Sequence, residues 1–251
     1  MITLNEVQKR YSSEVEIGPV SLTIPAGGVT ALIGPNGAGK STLLTMIGRL
    51  LDIDAGSVEV AGHDVSTTPS RELAKIISIL RQENNFVTRL TIRQLVAFGR
   101  FPYNRGRLTT EDEQIIDRAI DFLDLAELQD RYLDQLSGGQ RQRAYVAMVL
   151  AQDTPFVLLD EPLNSLDMKH ARAMMQQLRR AADELGRTIV VVLHDVNFAS
   201  HYADWICAVK DGVVAEFGTA EEIMTDEVLS RIFDTPVQVI DGPHGRLAAY
   251  F

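Results

Sequence analysis

The stretch Gly34-Pro35-Asn36-Gly37-Ala38-Gly39-Lys40-Ser41-Thr42 matches the phosphate-loop pattern G-x-x-x-x-G-K-[ST] at every fixed position. The apolar run Val29–Ile33 before it is typical of a buried strand, and Thr42–Leu51 after it is typical of a helix. This order turns backbone N–H groups and the positive end of a helix dipole toward an anion. Glycines are needed because a Cβ atom would block both the tight turn and the approach of phosphates. The stretch therefore predicts a site for a nucleoside triphosphate.

Two side chains of this loop are expected to contact the bound nucleotide and its metal ion. Lys40 would reach the β- and γ-phosphates, and the hydroxyl of Ser41 would ligate Mg²⁺.

Composition limits the class of protein. The 251 residues are 45% hydrophobic, enough for one large domain or for a core domain with a smaller inserted lobe. The net charge of −10 argues against a nucleic-acid partner, because binding to phosphate backbones depends on Lys and Arg. The single cysteine, Cys207, excludes a disulfide within the chain.

The sequence has no feature expected of a membrane-spanning chain. It opens without a basic start followed by a long apolar stretch. No apolar run approaches the roughly 20 residues that span a bilayer. We therefore expect any membrane role to come through a partner.

Apolar runs and turn residues predict the order of elements. The expected strands are Ile2–Val7 at a sheet edge, Val15–Ile24, Val29–Ile33, Ser57–Val60, Ile76–Leu80, Phe156–Leu159, Thr188–Leu193, Trp205–Val209 and Val213–Phe217. Buried strands that alternate with helices indicate a mostly parallel sheet.

A helical subdomain is expected to be inserted in this α/β core over approximately residues 88–152. Helical periodicity dominates from about Thr88 to Leu136, and a polar loop, Gly99–Thr110, interrupts it. Ser137 is expected to cap a helix that runs from about Gly139 to Gln152.

Two adjacent acids follow the buried strand Phe156–Leu159. Asp160 is expected to emerge at the carboxyl end of the sheet, where α/β proteins bind ligands, and to hold Mg²⁺. Glu161 is expected to be the general base that activates water. Pro162 should bias Glu161 toward an extended backbone.

Three further residues end or follow strands. His194 follows the strand Thr188–Leu193 and can face the γ-phosphate from the same rim of the sheet. Gln82 can reach the metal or the water, although Gln at a strand end is common. A lone tyrosine such as Tyr11 can stack on a purine ring, although packing is its commoner role.

A second glycine-rich turn, Leu136-Ser137-Gly138-Gly139-Gln140, opens a second helix. It has the physical character of another anion-binding helix N-terminus. The turn alone does not say which phosphate it meets.

Together these motifs resemble the nucleotide-binding subunit of ATP-binding-cassette (ABC) transporters, and the likeness covers essentially the whole chain as one domain. The resemblance implies a P-loop NTPase core with a mostly parallel sheet, an antiparallel β subdomain and an inserted helical subdomain. It places the signature motif on Leu136–Gln140, the Q-loop on Gln82 and the D-loop on Ser165-Leu166-Asp167. It makes His194 the switch histidine and Tyr11 the residue that stacks on adenine.

The resemblance also implies a set of site residues. Glu161 and His194 would be catalytic, and Ser41, Gln82 and Asp160 would serve Mg²⁺. The residues expected to contact ATP are Tyr11, Gly34, Asn36, Gly37, Ala38, Gly39, Lys40, Ser41, Thr42, Gln82, Asp160, Ser137, Gly138, Gly139, Gln140 and Asp167.

The same resemblance implies partners. Two copies would pair head to tail. Each ATP would lie between one copy's phosphate loop and the other copy's Ser137-Gly138-Gly139-Gln140, the signature turn. Closure around ATP would drive integral-membrane permease subunits at the cytoplasmic face of the inner membrane. A substrate-binding protein would act indirectly.

The finer likeness is to importers of iron–siderophore complexes. It rests on Gly99-Arg100-Phe101-Pro102 and on the run Asp160–His170, in which Leu163 departs from the threonine of many cassettes. Haem, vitamin B12 and other metal-chelate importers are near relatives, so they remain alternatives. Alternatives of another class are a soluble ABC ATPase without a transport role and a nucleotide-binding module that does not hydrolyse. The sequence does not indicate which siderophore is carried, because the transported substrate would not touch this subunit.

Overall fold

The structure is a computed structural model, which describes residues 1–11, 16–82, 89–104, 106–164, 166–242 and 245–250. Val15, Thr88 and Ser165, which belong to predicted elements or motifs, lie outside the described residues. The strands are β1 Ile2–Arg10, β2 Glu16–Ile24, β3 Gly28–Ile33, β4 Ala55–Val60, β5 His63–Asp64, β6 Ile77–Leu80, β7 Phe156–Leu159, β8 Thr188–Val192, β9 Trp205–Lys210, β10 Val213–Thr219, β11 Gln238–Gly242 and β12 Gly245–Ala249. The α-helices are α1 Lys40–Ile47, α2 Ser70–Leu73, α3 Ile92–Ala97, α4 Phe101–Asn104, α5 Thr110–Phe122, α6 Gly138–Ala151, α7 Met168–Leu185, α8 Val196–Tyr202, α9 Ala220–Ile223 and α10 Asp226–Phe233.

The central sheet of the described chain has the strand order β10-β9-β3-β8-β7-β6. Neighbouring strands from β9 to β6 run parallel, and β10 pairs with β9 in the antiparallel sense. The prediction of a mostly parallel sheet is therefore confirmed. The carboxyl ends of β3, β6, β7 and β8 lie at one edge, which is where the candidate site is built.

An antiparallel sheet of order β2-β1-β4-β5 packs beside this core. The prediction that the first strand lies at a sheet edge is wrong, because β1 pairs on both sides. Ile2 lies opposite Ile24 of β2 on one side and opposite Val60 of β4 on the other. The alternating pattern of a single strand shows which face is buried, but it does not show how many neighbours the strand has.

The central strands are apolar on both faces, as expected for a parallel sheet covered on two sides. In β3, Leu32 packs into the cluster that contains α1 and the antiparallel sheet. Ala31 and Ile33 pack into the opposite cluster, which contains α6 and α7. The phosphate loop therefore begins at the end of a strand that is held rigidly from both sides.

The helices α3, α5 and α6 pack against one another in the region expected to form the helical subdomain. The predicted polar loop Gly99–Thr110 is wrong in its first part, since a 3₁₀ turn over Phe98–Arg100 leads directly into α4. Arg100 is buried there because Asp112 and the carbonyl of Ala151 satisfy its guanidinium group. Of the helices that the structure describes, none is both long enough and apolar enough to cross a lipid bilayer.

Candidate functional site

The phosphate loop leaves the carboxyl end of β3 and closes on the first turn of α1. Gly34 has a φ of 142°, and a Cβ atom there would lie 2.0 Å from the carbonyl oxygen of Val209. Gly39 has a φ of 101° and is the N-cap residue of α1. A side chain would thus clash at the first position and would be strained at the second, so the loop conformation depends on both glycines.

The side chain of Lys40 packs against this loop. Its Nζ donates hydrogen bonds to the carbonyl oxygens of Gly34 at 2.9 Å and Pro35 at 2.8 Å. Burial lowers the pKa of Lys40, while the nearby carboxylates of Glu161 and Asp160 act to raise it. The amine of Lys40 is therefore held against the start of the phosphate loop.

Asp160 connects the end of β7 to the phosphate loop. The hydroxyl of Ser41 donates a hydrogen bond of 2.7 Å to its Oδ1. Burial and the adjacent Glu161 raise the pKa of Asp160, whereas the hydrogen bond from Ser41 and the charges of His194 and Lys40 lower it, and burial prevails. A hydroxyl and a carboxylate side by side are hard oxygen donors, which fit Mg²⁺.

The carboxylate of Glu161 is held from two sides. His194 Nε2 lies 2.8 Å from Glu161 Oε1, and Gln82 Nε2 donates to Glu161 Oε2 at 2.6 Å. The side chain of Glu161 is 10% exposed and that of His194 is 49% exposed. Three strand ends, those of β6, β7 and β8, thus bring their polar residues to one carboxylate.

The backbone of Glu161 differs from the expected extended conformation. Its φ is 49°, in the left-handed region that non-glycine residues rarely adopt. The preference imposed by Pro162 is overridden because Asp160 must face Ser41 while Glu161 faces Gln82 and His194. Such unfavourable backbone conformations are common at functional sites, where the direction of a side chain is fixed by its partners.

A cleft of about 210 Å³ opens in front of these groups. Tyr11 lies at its rim, 55% exposed, with its hydroxyl 3.5 Å from Thr42 Oγ1. The residues that line the cleft are Tyr11, Ile17, Asn36, Gly37, Ala38, Gly39, Lys40, Ser41, Thr42, Glu161 and His194. Gly34, Gln82 and Asp160 do not line the cleft but contact residues that do.

The second glycine-rich turn lies elsewhere. Ser137 caps α6, as predicted, and forms a capping box with Gln140. Gly139 faces the ring of His170, which would lie 3.1 Å from an added Cβ, and His170 is in turn bonded to Asp167 at the N-terminus of α7. None of Ser137, Gly138, Gly139, Gln140 and Asp167 lines the cleft. The structure therefore groups the predicted site residues into two separate surfaces.

Sequence reasoning missed Ile17, which lines the cleft and would lie 2.6 Å from a Cβ atom on Gly39. It is an ordinary apolar residue of a β-strand, and nothing in its sequence context distinguishes it from its neighbours in the core.

Comparison with known proteins agrees with this geometry. The family model described as ABC transporter matches residues 17–164, more than half of the chain. The petrobactin import ATP-binding protein FatE of Bacillus anthracis is 62% identical over 250 residues, covering 100% of both chains. The petrobactin import ATP-binding protein YclP of Bacillus subtilis is 50% identical over 253 residues, again covering 100% of both.

A solved structure is also similar. The ATP-binding cassette MJ0796, as a dimer in a post-hydrolysis state bound to ADP and Pi, shares 33% identity with a TM-score of 0.76. The match covers 88% of this chain and 99% of that one. The phosphate loop, the two acids after β7 and the signature turn all lie within the matched family region. The chain belongs to the ABC transporter family, as an ATP-binding subunit.

Proposed function

We propose that this chain hydrolyses ATP to drive import of an iron–siderophore complex through a membrane permease. The observation that carries the proposal is the Glu161 carboxylate, which is held between Gln82 and His194 beside the phosphate loop. A binding module without hydrolysis would have no need for such an arrangement. The two relatives named as petrobactin import proteins support the substrate class.

The reaction follows from the placement of the groups. Loop N–H groups and Lys40 bind the phosphates of ATP. Glu161 accepts a proton from a water molecule as that water attacks the γ-phosphate, and the bond to the bridging oxygen of ADP breaks. His194, at the rim of the same cleft, contacts the γ-phosphate and orients the carboxylate.

Ser41 and Asp160, with Gln82 nearby, would hold Mg²⁺ at this edge of the sheet. The ion would neutralise charge that develops on the β- and γ-phosphates. The Ser41 hydroxyl and the Asp160 carboxylate already lie 2.7 Å apart, so little rearrangement is required of either side chain.

The complete site is proposed to need two copies arranged head to tail. Ser137 and its neighbours lie outside the cleft, and Ser137 is exposed to solvent. In this arrangement the signature turn of one copy, at the N-terminus of α6, covers the γ-phosphate held by the other copy. The pair would sit at the cytoplasmic face of the membrane against permease subunits, with a substrate-binding protein acting from the other side.

Uptake measurements test the proposal. A strain that lacks this chain should lose uptake of one iron–siderophore complex, and the wild-type chain but not Glu161→Gln should restore it. Uptake of haem, a corrinoid and several iron chelates should be measured in parallel. Restored uptake of only haem or a corrinoid would reject the siderophore assignment, and purification without any permease would favour an ATPase outside transport.

A further inference from the structure

We propose that Asn197 is a positioning residue for His194, and that the hairpin β11–β12 is the support to which Asn197 attaches the helix α8. This inference rests on the proposed function, because it assumes that His194 contributes to ATP hydrolysis.

His194 occupies the short connection between β8 and α8. On the strand side, the Leu193 amide donates to the carbonyl of Leu32 at 3.0 Å, so the chain is fixed as it leaves the sheet. On the helix side, Asp195 caps α8 by accepting from the Asn197 amide at 2.8 Å. Only one residue separates the two attachments, so a shift of α8 must move His194.

The side chain of Asn197 pairs with both backbone groups of Ala248 in β12. Its Oδ1 accepts from the Ala248 amide at 2.8 Å, and its Nδ2 donates to the Ala248 carbonyl at 3.2 Å. This double pairing restrains both the distance and the orientation of α8 relative to the hairpin. One turn farther along α8, Ser200 Oγ donates to the Arg246 carbonyl at 2.7 Å.

The hairpin is itself anchored away from α8. Arg246 Nη1 donates to the carbonyl of Glu221 in α9 at 2.7 Å. The Val239 amide donates to Asp226 in α10 at 2.7 Å. The hairpin can therefore act as a fixed support instead of moving with α8.

This support matters because of how His194 and Glu161 are held. Glu161 is nearly buried and is also bonded to Gln82, whereas His194 is half exposed. The helix α8 spans only seven residues, so its own hydrogen bonds hold it weakly. Without the Asn197 pairing, His194 Nε2 loses its fixed position against Glu161 Oε1. The phosphate-loop contacts do not involve α8 and remain.

The test compares Asn197→Ala with Ser230→Ala in the full-length chain. Ser230→Ala removes the hydrogen bond that the Ser230 hydroxyl accepts from the Val237 amide, just before the hairpin. It leaves the pairing of Asn197 with Ala248 intact. We expect Asn197→Ala to lower kcat about tenfold, because small displacements of a reacting group carry large costs. We expect ATP affinity, measured with a fluorescent ATP analogue, to stay within about twofold for both variants, and Ser230→Ala to keep its kcat.

A double-mutant cycle separates positioning from general damage. In a His194→Ala background, Asn197→Ala should cause no further loss, because the residue through which it acts is already gone. If Asn197→Ala proves unfolded by circular dichroism, Ser200→Ala replaces it, with an expected loss of about threefold. The proposal would be overturned if the folded variant, Asn197→Ala or its replacement Ser200→Ala, kept the wild-type kcat. It would also be overturned if that substitution lowered kcat equally in the wild-type and the His194→Ala backgrounds. Wild-type turnover by His194→Ala would instead reject the role of His194 itself, and this inference with it.

Discussion

The hydroxyl of Ser41 and the carboxylate of Asp160 are joined by a 2.7 Å hydrogen bond, although 119 positions separate them in the chain. Ser41 belongs to the first turn of α1, and Asp160 follows the last residue of β7. The parallel order β3-β8-β7 brings these two ends to one edge of the sheet. The contact brings together the two side chains whose oxygen atoms would hold the metal.

Replacement of Lys40 tests the phosphate loop. Lys40→Ala should abolish ATP turnover, because it removes the amine that now donates to the carbonyls of Gly34 and Pro35 and would bind the phosphates of ATP. Turnover should be measured by phosphate release at saturating ATP. Undiminished release would reject the loop as the site of hydrolysis.

Replacement of Glu161 tests the general base. Glu161→Gln keeps the shape of the side chain and one oxygen acceptor but cannot take the proton of water. Hydrolysis should slow by about 10²–10⁴-fold while nucleotide affinity is retained. Affinity and single-turnover rate should be measured on the same preparation. An unchanged rate of hydrolysis in Glu161→Gln would mean that another residue is the general base.

Ser137 tests whether the signature turn acts across an interface. Ser137→Arg should block association of two copies while a single chain keeps its affinity for ATP, because Ser137 lies outside the cleft. Ser137→Ala is the matched control, since both changes remove the N-cap hydrogen bond, at a cost of about 1 kcal/mol, but only arginine adds bulk. Equal loss of affinity and association in the arginine variant would place the turn inside the chain's own site.

The buried pair Arg100–Asp112 should contribute to stability in a pH-dependent way. Burial alone would raise the pKa of Asp112, but hydrogen bonds from Thr109, Asn104 and Arg100 outweigh it and lower that pKa. Because the native pKa is depressed, the contribution is present above the unfolded carboxyl's pKa and is lost as pH falls toward the native value.

Urea denaturation of Asp112→Asn measures this contribution. Near neutral pH the variant should lose about 3–5 kcal/mol in free energy of unfolding, because Arg100 stays buried without a counter-charge. The difference in free energy of unfolding between Asp112→Asn and wild type should become smaller at acidic pH. The control Asp117→Asn breaks a more exposed pair with Arg93 and should cost less than about 1 kcal/mol. Equal losses of stability for the two changes would show that burial of the Arg100–Asp112 pair does not set its contribution.

Local sequence was sufficient to predict the parts of the site that lie at the end of one strand or at the start of one helix. The loop Gly34–Thr42, the acids Asp160 and Glu161, and the cap Ser137 each depend on residues close by in the chain. The meeting of Ser41 with Asp160 also followed, because parallel strands end at one edge.

Features that depend on distant partners could not be predicted. The pairing of Asn197 with Ala248 joins residues 51 positions apart and leaves no local pattern. The sequence places Arg100 in a predicted polar loop because an arginine is usually exposed. Its burial depends on the ion pair with Asp112, which forms only in the folded chain. The pairing of β1 on both sides could not be predicted either, because the sequence of one strand does not show which strands lie beside it.

In the proposed site, one ATP is shared by two copies of the chain. Light scattering coupled to size exclusion, on Glu161→Gln with saturating Mg·ATP, tests it most directly. We expect the mass of two chains with ATP and of one chain with ADP, and the mass of one chain in both cases when Ser137→Arg is added. A single-chain mass for Glu161→Gln with bound Mg·ATP would show that one chain holds ATP without a second copy, contrary to the proposed shared site.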